Sequence, residues 1–242
     1  MSFIQTLKTK LGRDSLPAQK AYRLWAESYD RQPDNLMFEL DRDAVSGLLE
    51  NVDLQGKRVL DIGCGTGRIW PLLQERGAAG IVGCDASSEM LDRLLAKLPQ
   101  AEVHRVLGPE LPFLPNGCFD LAISTLTLAH LEEPVRHFRE WSRILLPGGG
   151  LLITDLHPKG LVRGAQRSFT HGGKTLKIHN HVYPLEEIRN GLSDLGFREQ
   201  AARETVIDDA LKETYRRHGL LKVFEKFRGT PIHFAMLWLK SP

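Results

Sequence analysis

The sequence predicts a doubly wound α/β chain: a mostly parallel seven-stranded sheet, a helical segment before it and a small insertion after the fifth strand. Three observations predict it. Between residues 58 and 155, short apolar runs alternate with helix-length amphipathic segments, the pattern of a parallel sheet covered on both faces. A glycine-rich turn, Gly63-Cys64-Gly65-Thr66-Gly67, joins the first run directly to a helical segment. The chain has 242 residues, 42% apolar and 26% charged, which fits one large domain and excludes disordered, collagen-like and repeat classes.

Taken in order, residues 1–20 carry no sustained period and read as an arm. Tyr22, Leu24, Trp25, Tyr29, Leu36, Met37, Leu40, Val45, Leu48 and Leu49 recur at three- and four-residue spacings, predicting two helices broken near Pro33. Residues 1–50 are therefore set apart from a main domain over 51–242. Its strands are expected at Arg58–Ile62, Gly80–Asp85, Ala101–Leu107, Phe119–Ser124 and Gly150–Thr154. Helices between them run to about Arg76, over Ser87–Leu98 and over Val135–Leu145. The pattern changes after Asp155. An insertion over about 156–183, rich in His, Gly, Lys and Arg, holds an alternating piece, Lys174–Ile178, that reads as half a hairpin over the sheet edge. A helix over Leu185–Leu195 capped by Gly196, a strand over Arg198–Val206, a helix over Asp208–Phe227 and a strand over Ile232–Leu239 complete the sheet.

Charge narrows the function classes. Lys plus Arg is 32 and Asp plus Glu is 30, a net +2, which gives little support to a polyanionic partner. The densest basic run, Arg216-Arg217-His218, reads as the solvated face of a helix, with a phosphate patch as the competitor. No stretch reaches the ~18 apolar residues of a membrane span and Met1–Lys10 lacks a signal-like apolar run, so the chain reads as cytoplasmic. Cys64, Cys84 and Cys118 are too widely spaced for a disulfide framework or zinc ribbon and read as small buried hydrophobes. Nothing in the sequence sets an oligomeric state.

The glycine turn carries the chemistry. Glycine lets backbone approach a ligand closely, and a following helix offers N–H groups to polar or negative atoms. A dinucleotide fingerprint places its third glycine one residue later than Gly67, so a nicotinamide cofactor is disfavoured. Asp85 ends the next strand, where a carboxylate can accept both hydroxyls of a ribose; its competing role is to cap the helix that starts near Ser87.

Val59-Leu60-Asp61-Ile62-Gly63-Cys64-Gly65-Thr66-Gly67 resembles the first motif of class I S-adenosylmethionine-dependent methyltransferases, and Val82–Leu91 resembles their second. Leu111-Pro112-Phe113, Phe119-Asp120-Leu121, His130-Leu131 and Arg143–Gly149 resemble later signposts of the branch with ubiquinone and menaquinone C-methyltransferases and small-molecule O- and N-methyltransferases. The resemblance spans about residues 22–155. It implies a Rossmann-like fold with an N-terminal helical lid, and S-adenosylmethionine as cofactor. It implies that Gly63, Gly65 and Gly67 form the cofactor loop, with Gly63 and Gly65 against the methionine moiety. Asp61 would steady the loop and the amino group, Asp85 would hold the ribose, and Ala86 and Met90 would flank the adenine. Where relatives carry a Gly-Asp pair, this chain has Gly108-Pro109-Glu110, so adenine recognition falls to backbone at Leu107 and Gly108. Tyr22, Trp25 and Tyr29 share a helical stripe and read either as core packing or as the lid, with Tyr29 over the cofactor.

His157 follows the fifth strand and His181 belongs to the insertion. Either is a candidate general base, against the plain reading of a solvated loop histidine. His179-Asn180-His181 places two rings on one side of a strand, but no acid or thiol completes a metal set, and no metal is expected. The expected function is methyl transfer to an O, N or C nucleophile of a small-molecule acceptor. The alternatives are a non-catalytic nucleoside-binding regulatory module, or a methyltransferase acting on RNA or protein. Nucleic acid is disfavoured because Ser124-Thr125-Leu126-Thr127 stands where base-amino methyltransferases carry Asn-Pro-Pro-Tyr or Asp-Pro-Pro-Tyr.

Overall fold

The computed structural model describes residues 15–31 and 35–242; most of the arm and the break at Pro33 lie outside the described residues. Strand β1 (Ser15–Leu16) and helix α1 (Ala18–Trp25) precede α2 (Leu36–Leu48), which starts where the Asn35 side chain accepts the N–H groups of Met37 and Phe38. The main sheet follows, with β2 (Arg58–Ile62), α3 (Trp70–Glu75), β3 (Gly80–Asp85), α4 (Ser88–Lys97), β4 (Glu102–Arg105), β5 (Phe119–Thr125), α5 (Pro134–Ile144) and β6 (Leu145–Leu156). The insertion supplies α6 (Pro158–Val162) and the strands β7 (Ser168–His171) and β8 (Lys174–Ile178). Then come α7 (Leu185–Ser193), β9 (Phe197–Val206), α8 (Lys212–Arg217), α9 (Leu221–Phe227) and β10 (Pro231–Lys240).

Seven strands pair in the order β4-β3-β2-β5-β6-β10-β9, and β10 alone runs against the rest. The order reverses between β2 and β5, so a crevice opens beyond their carboxyl ends, where open α/β sheets bind ligands. Strand alternation divides the core. Leu60, Ala122, Leu151 and Ile153 face Phe138 and Trp141 of α5 and Ile188 and Leu192 of α7. Val59, Leu121, Ile123 and Leu152 face Val45 of α2, Leu49 and Leu73 of α3. Full burial of each such side chain contributes roughly 1.5–3 kcal/mol, enough to fix the register of strands that carry the crevice.

Several expectations need correction. The segment 208–227 forms two short helices, because Gly219 takes a left-handed φ of +67° and the N–H groups of Gly219 and Leu220 close α8 on Arg216 and Tyr215. The strand expected over 101–107 keeps only Glu102–Arg105, and Leu107 turns out to 70% exposure. After the glycine loop, helix is confined to Trp70–Glu75. The fifth strand starts at Leu145, as soon as α5 ends, and runs to Leu156. Residues 15–20 are ordered into β1 and the start of α1. The insertion does contain a hairpin, but it does not cover a sheet edge. Its strand β8 pairs with β1, and Phe169 and Ile178 pack on Ala21 and Trp25 of α1.

Cys64 and Cys84 are buried and Cys118 is half-buried, and all three are free. Arg216 pairs with Glu213, and Arg217 and His218 both reach Glu39, so acids neutralise the basic run on a solvated helix. Among the described residues no helix is long and apolar enough to cross a membrane.

Candidate active site

The glycine loop is held from below by the adjacent strand. Gly63 and Cys64 N–H groups both donate to the Cys84 carbonyl, at 2.7 and 3.0 Å, and the Gly65 N–H donates to Asp85 Oδ2 at 2.8 Å. Asp85 Oδ1 accepts the Ser87 N–H at 2.8 Å, while Ser87 itself caps α4 through its hydroxyl on the Met90 N–H. Asp85 thus braces the loop and the approach to α4, and the cap is a different residue. Burial pushes its carboxyl above the ordinary value, against the hydrogen bonds it accepts.

A cavity of about 630 Å³ opens over this loop. Asp61, Gly63, Gly65, Asp85, Ala86 and Met90 line it, as do Tyr29 from the N-terminal segment and Leu107 and Gly108 beyond β4. Gly67 does not: its φ is +76° and an added Cβ would lie 3.2 Å from Leu94, so this glycine is required by helix packing. At Gly65, with φ +53°, an added Cβ would meet no protein atom within 4 Å, as expected of a cradle left open for a ligand. Glu110 pairs with Arg136 at 2.8 Å and is not among the residues that line the cavity.

Two buried polar atoms in the cavity wall have no partner among the described residues. Asp61 Oδ2 accepts the Trp70 indole N–H at 2.8 Å, but Oδ1 accepts nothing. Burial raises this carboxyl to about 7, with the Trp70 bond opposing the rise. Arg68 donates through Nη2 to Asp41, and its Nη1 is unpartnered. Asp41 is fully buried and also accepts from Thr154 and, at 3.0 Å, from His233. Burial alone would raise Asp41, but Arg68 and His233 hold it well below the usual carboxylate range.

A second buried chain crosses the roof. Arg167, from the insertion, pairs with Asp155 at 2.7 Å and donates to His130 Nε2, which also receives the Tyr22 hydroxyl at 3.0 Å. His130 Nδ1 lies 3.1 Å from the His179 carbonyl, which can only accept, so Nδ1 carries the proton and Nε2 the lone pair. Burial and the Arg167 charge hold His130 far below its ordinary value. Sequence reasoning quoted Tyr22 and His130 without assigning them this contact, and it missed Arg68 and Arg167. The only sequence signal for Arg68 was that it interrupts the glycine spacing. Tyr22 and Tyr29 pack on Trp25, with ring centroids 5.8 and 4.8 Å away, and both line the cavity, so one aromatic stripe serves both the packing and the cavity wall.

The two candidate histidines part company. His157 is 1% exposed and lies outside the cavity: β6 runs on past Thr154, and the His157 N–H pairs with Ile232 of β10. Its Nδ1 accepts the Lys159 N–H at 3.0 Å to cap α6, and Nε2 is 3.2 Å from Glu204. His181 does line the cavity, pinned there by its N–H on the Ala129 carbonyl at 2.7 Å. Strand β8 ends at Ile178, and beyond it the His179 and His181 rings meet edge to face, at 87° with centroids 5.0 Å apart. Among the described residues no group of three metal-ligating side chains forms.

Comparison with known proteins decides the class. The family model described as a methyltransferase domain matches residues 60–153, the stretch from β2 to β6 that builds the crevice. Residues 60–153 are therefore a methyltransferase domain by this match. Around it, the chain is 37% identical over 115 residues to an uncharacterized methyltransferase of Synechocystis sp., covering 45% of this chain and 52% of that protein. It is 30% identical over 138 residues to a phosphatidylethanolamine N-methyltransferase of Cereibacter sphaeroides, covering 54% and 66%. The chain thus spans between half and two thirds of these curated relatives. A solved S-adenosylmethionine-dependent methyltransferase from Mesorhizobium loti superposes with a TM-score of 0.65 at 24% identity, over 81% of this chain and 96% of that one, which shows the fold. Domain and fold together imply S-adenosylmethionine as the cofactor.

Proposed function

We propose that the chain is an S-adenosylmethionine-dependent methyltransferase whose acceptor is a small molecule with an O, N or C nucleophile, working in the cytoplasm. The observation that carries this reading is a pair of unpartnered buried atoms on residues that line one cavity, Asp61 Oδ1 as acceptor and Arg68 Nη1 as donor. They match the ammonium and carboxylate of the cofactor's methionine end, and Asp85 matches its ribose hydroxyls. Ala86 and Met90 would flank the adenine, with Leu107 and Gly108 offering backbone at its edge. Gly63 and Gly65 would lie against the methionine portion, and Tyr29 would cover it.

When bound, S-adenosylmethionine would supply an electrophilic methyl on a sulfonium, which the acceptor's electron pair would take while the carbon–sulfur bonding pair returns to sulfur. The chain's own task is to align the acceptor and exclude water, for which Tyr22 of α1, Tyr29, and His179 and His181 after the hairpin stand in the cavity wall. An acceptor that must shed a proton needs a base. His181 stands at the cavity, whereas His130 is neutral with its lone pair already engaged by Tyr22 and Arg167. A cavity of about 630 Å³ also suits a small acceptor better than RNA or protein. The test is to incubate the full chain with methyl-labelled S-adenosylmethionine and separate small-molecule, RNA and protein fractions. Label in the small-molecule fraction, with release of S-adenosylhomocysteine, is expected. Label confined to RNA or protein, or cofactor binding without any transfer, overturns it.

A further inference from the structure

A second cavity, of about 940 Å³, lies beside the first, beyond the ends of β6 and β9 and against the start of β10. His179 and His181 line both cavities, so the two are separated by one short segment. That segment is fixed: the His179 N–H donates to Leu16 at 2.9 Å and the His181 N–H to Ala129 at 2.7 Å. Its far side is mainly apolar, with Val162, Val182, Tyr183, Pro184 and Leu185 in the wall, and Val162 left 49% exposed. The charged side chains of Lys159, Arg163, Glu186, Glu187 and Arg189 line it as well, together with two further hydrogen-bond acceptors, Asn180 and Glu204. Asn180 donates through Nδ2 to the Ile178 carbonyl, which leaves Oδ1 buried and without a partner among the described residues. Glu204 presents a carboxylate, whose Oε2 lies 3.2 Å from buried His157. Because His157 Nδ1 is occupied as an acceptor, its Nε2 carries the proton, and the imidazole leaves Glu204 its remaining lone pairs.

We infer that this second cavity receives the remote, non-reacting part of the methyl acceptor, an apolar body bearing a hydroxyl or amide N–H. The inference rests on the methyl-transfer reading above. An acceptor whose nucleophile sits beside His181 in the first cavity continues past that residue into the second. There, apolar walls bury its body, and Asn180 Oδ1 and Glu204 take its donors. Binding energy gained so far from the reacting centre orients the nucleophile, which explains why few catalytic groups are needed near the methyl.

The test fills the cavity with Val162→Trp, a change at a half-exposed site on a surface helix that leaves the cofactor residues untouched. The first arm uses 8-anilinonaphthalene-1-sulfonate, an apolar body with an N–H, in the presence of saturating S-adenosylhomocysteine. One saturable site is expected in the unaltered chain, weakened by about tenfold or more in Val162→Trp, while S-adenosylhomocysteine affinity stays the same. Equal binding in both chains, or displacement of the probe by S-adenosylhomocysteine, overturns the inference. The second arm uses the acceptor found by labelling, for which Val162→Trp should raise KM by about tenfold with kcat nearly unchanged. Turnover indifferent to Val162→Trp overturns the subsite alone. Absence of transfer from any pool overturns the methyl-transfer reading, and with it the acceptor's place here.

Discussion

Asp85 Oδ2 and the Gly65 N–H are joined directly at 2.8 Å, so the acid that ends β3 also sets the shape of the loop that follows β2. The glycine loop and the acid at the end of β3 are therefore one mechanical unit. The parallel pairing of Ile62 with Cys84 places their ends side by side.

Asp85→Ala should weaken S-adenosylmethionine binding by roughly 1.5–3 kcal/mol, ten- to more than a hundredfold, since both the ribose acceptor and the loop brace are lost. Asp85→Asn keeps one acceptor oxygen, so it should fall between the two. Calorimetry on the folded variants measures this, and an unchanged dissociation constant for Asp85→Ala would leave the residue a brace with no part in binding.

Gly65→Val and Gly67→Ala should separate binding from folding. At Gly65 the added side chain enters the open cradle, so cofactor binding should vanish, while the left-handed backbone costs roughly 1–2 kcal/mol. At Gly67 the same backbone strain is joined by contact with Leu94 at 3.2 Å, so stability should drop further while residual folded protein still binds. Thermal melts beside binding isotherms decide it; parallel losses in the two variants would contradict the assignment.

How far these sites could be read in the sequence follows from how local their causes are. The strand–glycine–helix order at 58–76 and the acid at 85 are short-range patterns, legible because backbone conformation and pleat alternation repeat within a few residues. Asp41, Arg68, Thr154 and His233 form one buried cluster from four distant elements, and no spacing rule relates them. His157 was misplaced because a strand's end cannot be located to within two residues by hydropathy. Extending β6 to Leu156 moves the next side chain out of the crevice. The break at Gly219 was visible as a glycine, but the helical period on both sides masked it.

Asp61 should make cofactor binding pH-dependent. With its carboxyl at about 7, roughly half the ligand-free molecules are protonated there at neutral pH. A cationic ammonium at Oδ1 favours the ionised form, so below about pH 7 binding must expel a proton, and affinity should fall by up to about tenfold per pH unit. Above that range it should level off. Calorimetry between pH 6 and 8, repeated in buffers of different ionisation heat, should show net proton release on binding. Asp61→Asn should bind weakly with a flat profile. A wild-type affinity constant across that range would mean that Asp61 does not meet the ammonium.

His157 and His181 should differ in kind. His157 is buried and caps α6 by accepting the Lys159 N–H, so His157→Ala loses a cap and leaves a cavity behind Phe234, whose ring centroid is 6.5 Å away. A stability loss of about 1–3 kcal/mol is expected, with cofactor affinity and kcat per folded molecule close to the unaltered chain. His181→Ala removes a side chain from the cavity wall. On an acceptor that must shed a proton, turnover should drop by about 10²–10⁴-fold while cofactor affinity is kept. The drop should fall on kcat with acceptor KM little changed, a split that misplacement of the acceptor alone would not produce. His181→Gln keeps a hydrogen-bonding side chain but cannot take up the acceptor's proton, so it should keep acceptor KM and not restore the rate. If His181→Ala turns over normally, alignment beneath the roof carries the chemistry without a base. If His157→Ala instead loses turnover in proportion to nothing in its melting curve, the second cavity reaches the reacting atoms more directly than its lining suggests.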